Sequence, residues 1–132
     1  MKFVQADFKG HNSGHYSPGV ISHGLLYVSG QLSINPDTRE VCTGDIRAHT
    51  RQALDNMRRV LDAAGVSRNN VVMCRVYTPS PEYWPAINEE YAAFFGEHRP
   101  ARVVVSTSDL HFGCLVEIEC VAEMPESNDS EN

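Results

Sequence analysis

Between Asp45 and Ala64 the apolar side chains Ile46, Ala53, Leu54, Met57, Leu61 and Ala64 recur at steps of three and four, while Arg47, Arg51, Asp55, Arg58 and Asp62 occupy the remaining positions. That period draws one apolar stripe along a helix, and the stripe must be laid on another element. Asp45 suits the positive end of the helix dipole, and Gly65 suits the residue just past the last turn. A second helical pattern opens at Ser80-Pro81-Glu82, a cap, a first-turn proline and a first-turn acid. It continues through Trp84, Ile87, Tyr91, Phe94 and Phe95 to Gly96.

Around these helices the chain reads as strands. Val20 to Ile21 and Leu25 to Ser29 form a hairpin over Ser22-His23-Gly24. Asn35-Pro36-Asp37-Thr38 has the residues of a tight turn, with irregular chain from there to about Gly44. Val71 to Thr78, Ala101 to Ser106 and Cys114 to Glu123 complete the set. The order β-β-α-β-α-β-β predicts the α+β class: one mixed sheet of about five strands with both helices on one face. The other face is left open, and its strands are apolar enough to predict that another copy covers it. A closed ring of identical subunits, with ligand clefts between neighbours, satisfies this.

With 132 residues the chain holds one domain, expected over residues 1–124, and 125–132 reads as a disordered acidic tail. The formal charge is -6, but four acids lie in the last ten residues; the body carries thirteen acids against eleven bases. No basic run is long enough to follow a phosphate backbone, so nucleic acid is not expected as a partner. The absence of a secretory leader or long apolar stretch predicts a cytoplasmic protein without a membrane partner. Cys42, Cys74, Cys114 and Cys120 form no C-x-x-C pair and read as reduced, mostly buried thiols. His11 and His15 lack partners at ligand spacing, so no metal is expected, and the common nucleotide, dinucleotide and hydrolase motifs are missing.

In the last predicted strand Cys114, Val116, Ile118, Cys120 and Ala122 share one face, and Leu115, Glu117, Glu119, Val121 and Glu123 the other. The two central carboxylates either face water or meet a cation. Arg102, a charge entering the apolar run Val103-Val104-Val105, is the candidate. If Ala101–Ser106 and Cys114–Glu123 form an antiparallel hairpin, Arg102 falls opposite Ile118; a shift of one residue either way brings Glu117 or Glu119 opposite it instead. Spacing does not choose among these, nor between a structural ion pair and a guanidinium placed to grip a carboxylate.

Several short motifs then combine. They are Gly14-His15-Tyr16-Ser17-Pro18-Gly19, Val28-Ser29-Gly30-Gln31 followed by Asn35-Pro36, and Gln52-Ala53-Leu54-Asp55-Asn56 ending at Ala63-Ala64-Gly65. Further on come Asn88-Glu89-Glu90-Tyr91-Ala92-Ala93-Phe94-Phe95, Pro100-Ala101-Arg102 and Val116-Glu117-Ile118-Glu119. In order and spacing the chain resembles the Rid family of reactive-intermediate deaminases, also called the YjgF family, over residues 14–122. The resemblance implies a chorismate-mutase-like α+β subunit assembled as a homotrimer, its open sheet faces closing a barrel and three clefts lying between subunits. It also implies hydrolysis of enamine or imine acids, such as 2-aminoacrylate, to 2-oxo acids and ammonia without a cofactor.

Carried over by position, Arg102 would grip the substrate carboxylate and Glu117 would hold and polarise the attacking water, which selects the register that opposes the two. Tyr16, Ser29, Gly30 and Asn88 would shape the cleft. The chain departs from the family pattern at His15, at Val103 after the arginine, and at Leu110-His111 leading into Phe112-Gly113-Cys114. His111 is either a further proton carrier at the cleft or a loop side chain. These departures leave room for a larger enamine acid, in the manner of aminomuconate deaminases, or for a non-catalytic protein that binds a small acid in the same cleft.

Overall fold

The computed structural model describes residues 1–6 and 14–126. Its elements are β1 (Lys2–Val4), β2 (Gly19–Ser22), β3 (Leu25–Leu32), α1 (Ile46–Ala63), β4 (Val71–Thr78), α2 (Trp84–Phe95), β5 (Ala101–Ser106) and β6 (Glu117–Glu123). The expected α+β class is found: a mixed six-stranded sheet in the order β1-β2-β3-β6-β4-β5, with two helices on it. The extra strand is β1, three residues at the sheet edge, too short to leave a legible period. Residues 127–132 of the expected tail, and His11, lie outside the described residues.

Both helices form for the reasons written in the chain. Asp45 caps α1 by accepting the Ala48 N–H at 3.0 Å. Gly65, at φ +74, turns the chain so that the Val66 N–H reaches the Leu61 carbonyl at 2.9 Å. The signal at Ser80 starts a 3-10 turn, Pro81–Tyr83, and the α-helix proper begins at Trp84. Leu54, Met57, Val60 and Leu61 of α1 join Ile87, Tyr91 and Phe95 of α2 in one core over Leu26, Val28, Val76 and Ile118 of the sheet.

The hairpin expected between Ala101–Ser106 and Cys114–Glu123 does not form. Because α2 carries the chain back across the sheet face, β5 lies parallel to β4 at the edge, with Arg102 beside Cys74. The last strand starts at Glu117 rather than Cys114 and inserts between β3 and β4, antiparallel to both. None of the registers that oppose Arg102 to Glu117, Ile118 or Glu119 therefore exists. Burial explains the outcome: Ile118, Cys120 and Ala122 are almost wholly buried, which a central strand satisfies, whereas β5 is exposed or half-buried along its length.

Parity along β3 changes midway. Val28 pairs with Cys120 and Gln31 with Ile118, so Ser29 and Gly30 together oppose Glu119 in a β-bulge. The face away from the helices leaves Tyr27, Val103 and Val105 exposed. All four cysteines are free, and Cys74, Cys114 and Cys120 are buried, as their scatter predicts. Among the described residues no helix is long and apolar enough to cross a membrane.

Candidate functional site

The residues singled out from the sequence separate into two groups on opposite faces of the sheet. Arg102 shares a face with its parallel neighbour Cys74, whose side chain is in the core beneath the helices. Glu117 shares the other face with Tyr77.

On the helix side, α2 presents Trp84, Asn88 and Tyr91 at positions i, i+4 and i+7, a single stripe. Arg102 lies along it: its Nη1 donates to Asn88 Oδ1 at 2.9 Å, and its guanidinium carbon sits 4.9 Å from the Tyr91 ring centre and 5.7 Å from that of Trp84. No carboxylate among the described residues lies within ion-pair distance of this cation. It opens onto a groove of about 510 Å3 that Asn88, Tyr91, Arg99 and Pro100 also line. Below it, burial pushes the Tyr91 phenol well above its ordinary range, so this hydroxyl stays neutral.

On the open side, Tyr16, Ser29, Gly30, His111, Phe112 and Glu117 line a cavity of about 630 Å3. The bulge builds it. Ser29 donates its N–H to the Pro18 carbonyl at 3.0 Å and its Oγ–H to the Ser17 carbonyl at 2.6 Å, which pins the segment carrying Tyr16 against β3. Gly30 leaves the space that the Glu117 carboxylate fills: a β-carbon there would stand 2.6 Å from Oε2. Burial raises the Glu117 pKa, the His111 charge pulls it back down, and Glu119 adds to the rise. A carboxyl poised in this way can take a proton from water and return it. Glu119, by contrast, is occupied by Arg75 at 3.1 Å and the Tyr77 hydroxyl at 3.3 Å.

Five of the seven expected site residues thus share one cavity, and Arg102 and Asn88 share the other groove. Trp84 and Tyr91, which flank the guanidinium, were not singled out as site residues, although their helical spacing from Asn88 could have found them. Arg39, which also lines the Glu117 cavity, was not found either. It carries no sequence signal beyond its place after the turn at Asn35.

The chain is thus a small α+β subunit with a mixed sheet, two helices on it, a carboxyl at a glycine bulge and, on the edge strand, an arginine with no carboxylate partner among the described residues. The crystal structure of the YjgF gene product of Escherichia coli superposes with a TM-score of 0.87 at 32% identity, covering 95% of this chain and all of that one. The model of the Endoribonuclease L-PSP family matches residues 10–124, and the chain belongs to this family, the YjgF/Rid family. A RutC family protein of Pyrococcus horikoshii is 42% identical over 109 residues, 83% of this chain and 86% of that protein. The 2-iminobutanoate/2-iminopropanoate deaminase of Escherichia coli K12 is 36% identical over 112 residues, 83% of this chain and 87% of that enzyme. The family expected from the motifs is therefore the family found.

Proposed function

We propose that the protein is a deaminase that hydrolyses enamine and imine acids of the 2-aminoacrylate type to 2-oxo acids and ammonia. The observation that carries the reading is that one sheet bears, on its two faces, a half-buried carboxyl packed on Gly30 and a guanidinium that has no carboxylate partner among the described residues. The name of the 36% identical deaminase of Escherichia coli supports it.

In this reading copies of the chain associate as a homotrimer through the apolar open faces. The Arg102 groove of one copy then meets the Glu117 cavity of the next. Arg102 grips the substrate carboxylate through two parallel hydrogen bonds, its fork held by Asn88. Glu117 accepts a proton from water as the oxygen attacks the imine carbon, and returns it to nitrogen as the carbinolamine collapses. One water is consumed and one ammonia leaves. The imine is already electrophilic, so orientation and one proton-shuttling carboxyl supply what the step requires.

The test is to generate 2-aminoacrylate with a dehydratase in the presence of the purified protein and time the release of pyruvate and ammonia. Acceleration over buffer, abolished by Arg102→Ala with assembly intact, is the expected result. No acceleration, or full activity in the variant, contradicts the reading. Calorimetric binding of a 2-oxo acid without turnover would instead identify a small-acid binding protein.

A further inference from the structure

Three non-glycine residues among those described have left-handed backbone: His23, Arg39 and Phe112. His23 is accounted for by the two-residue turn of the β2–β3 hairpin, where it and Gly24 both require positive φ. Arg39, at φ 66, is the last residue of the turn closed between Asn35 and Glu40, and Phe112, at φ 62, lies in the short 3-10 turn His111–Gly113; both are left-handed positions where glycine would be unstrained, and both line the Glu117 cavity. Backbone strain of this kind clusters where a side chain must be aimed.

Arg39 is aimed by a well-built loop. Asn35 Oδ1 accepts the N–H groups of Asp37 and Thr38 at 2.9 and 3.2 Å, and the Asn35 carbonyl accepts the Arg39 N–H at 2.8 Å. The Asn35 N–H donates to the Glu40 carbonyl at 2.8 Å, and the bridge between Ile34 and Val41 closes the base. Glycine is the unstrained residue at this φ, yet the position holds a guanidinium that no carboxylate among the described residues neutralises. The other charged groups on the cavity wall are Glu117, Glu119 and His111. Glu119 is already satisfied by Arg75 and Tyr77, and no ion pair joins Arg39 to Glu117, which leaves the Arg39 guanidinium open to an incoming anion.

We infer that Arg39 recognises a second carboxylate, and that the preferred substrates are imino acids carrying an acid at both ends. The inference rests on the deaminase reading for its chemistry: Arg102 holds the carboxylate next to the imine, and Arg39 holds the distal one. Arg39 and the Phe112 ring both line the Glu117 cavity, so the distal carboxylate would meet the arginine and the intervening carbons an apolar wall. The reaction is the same hydrolysis, in which 2-iminoglutarate and water give 2-oxoglutarate and ammonia.

The experiment compares 2-iminoglutarate with 2-iminobutanoate, each generated in place by an amino-acid oxidase, on the wild-type protein, Arg39→Gly and Arg39→Lys. Arg39→Gly relieves the backbone, so loss of fold does not confound it. The wild type is expected to favour the diacid in kcat/KM, with the diacid-to-monoacid ratio falling roughly tenfold or more in Arg39→Gly and less in Arg39→Lys. A wild type that favours the monoacid, or a ratio unchanged in Arg39→Gly, overturns the inference and leaves the deaminase reading standing. If neither imine is turned over, the deaminase reading fails, and calorimetric titration with 2-oxoglutarate and 2-oxobutanoate decides the role of Arg39. Tighter binding of the diacid that depends on Arg39 supports the role; equal or absent binding refutes it.

Discussion

Arg102 and Glu117 project from opposite faces of one sheet, the arginine beside buried Cys74 and the glutamate beside Tyr77. In the proposed deaminase a small substrate touching both would lie between two copies of the chain, each copy offering one half-site, with its own supporting residues, to a different neighbour.

Gly30 is the residue on which the Glu117 half-site depends most directly. A β-carbon at that position would meet the end of the Glu117 side chain at 2.6 Å, and the carboxyl is the more mobile partner. In Gly30→Ala the fold should survive and the carboxyl should swing away. Deamination is expected to fall about 10- to 100-fold, with a thermal midpoint close to wild type. A wild-type rate in this variant would show that the position of the carboxyl is immaterial.

Under Arg102, Tyr91 contributes its ring and not its hydroxyl. The hydroxyl is buried with no hydrogen bond of good geometry, while the ring face lies 4.9 Å from the guanidinium carbon. Tyr91→Phe should therefore keep the activity and leave stability unchanged or higher by up to about 1 kcal/mol, whereas Tyr91→Leu should raise KM. Denaturant titration beside steady-state kinetics checks both; a Tyr91→Phe variant with lost activity would assign the hydroxyl a role in the site.

His49 ties α1 to the chain just after β3 and to the chain just before β6, the two strands that carry the Glu117 cavity. Its Nδ1 accepts the Leu115 N–H at 3.3 Å and lies 2.6 Å from Ser33 Oγ. Burial holds its pKa below the ordinary histidine value, against the opposing charge of Asp45. The unfolded chain therefore takes up this proton first as the solution is acidified. The stability contributed by the neutral ring is complete above about pH 6.5 and is lost as pH falls toward the lower folded value. Melting curves between about pH 7.5 and pH 5 should show a falling midpoint, with a flatter slope in His49→Asn, which keeps an acceptor that does not titrate. Equal slopes would remove His49 as the cause.

The two helices, the β2–β3 hairpin and most strands were legible because each is written locally, in a period, a cap or a turn such as Asp45, Gly65 and His23-Gly24. The strand order was not. The Arg102 and Glu117 strands are neighbours in sequence, and adjacency favours pairing them. What separates them is the burial of Ile118, Cys120 and Ala122 in the sheet centre, a property of the whole core. The site residues named from family motifs fall in two compact groups, but their division between faces depends on that strand order. Arg39 escaped because its position, after a turn and in left-handed backbone, is visible only in three dimensions.

The most direct test of a site shared between copies is complementation. Arg102→Ala and Glu117→Gln are each expected to be inactive alone. When the two chains are unfolded together and reassembled in equal amounts, random mixing in a closed ring gives about a quarter of the clefts one intact arginine and one intact glutamate. Recovery of about a quarter of the wild-type rate is the predicted result; a mixture as inactive as either variant would contradict the account.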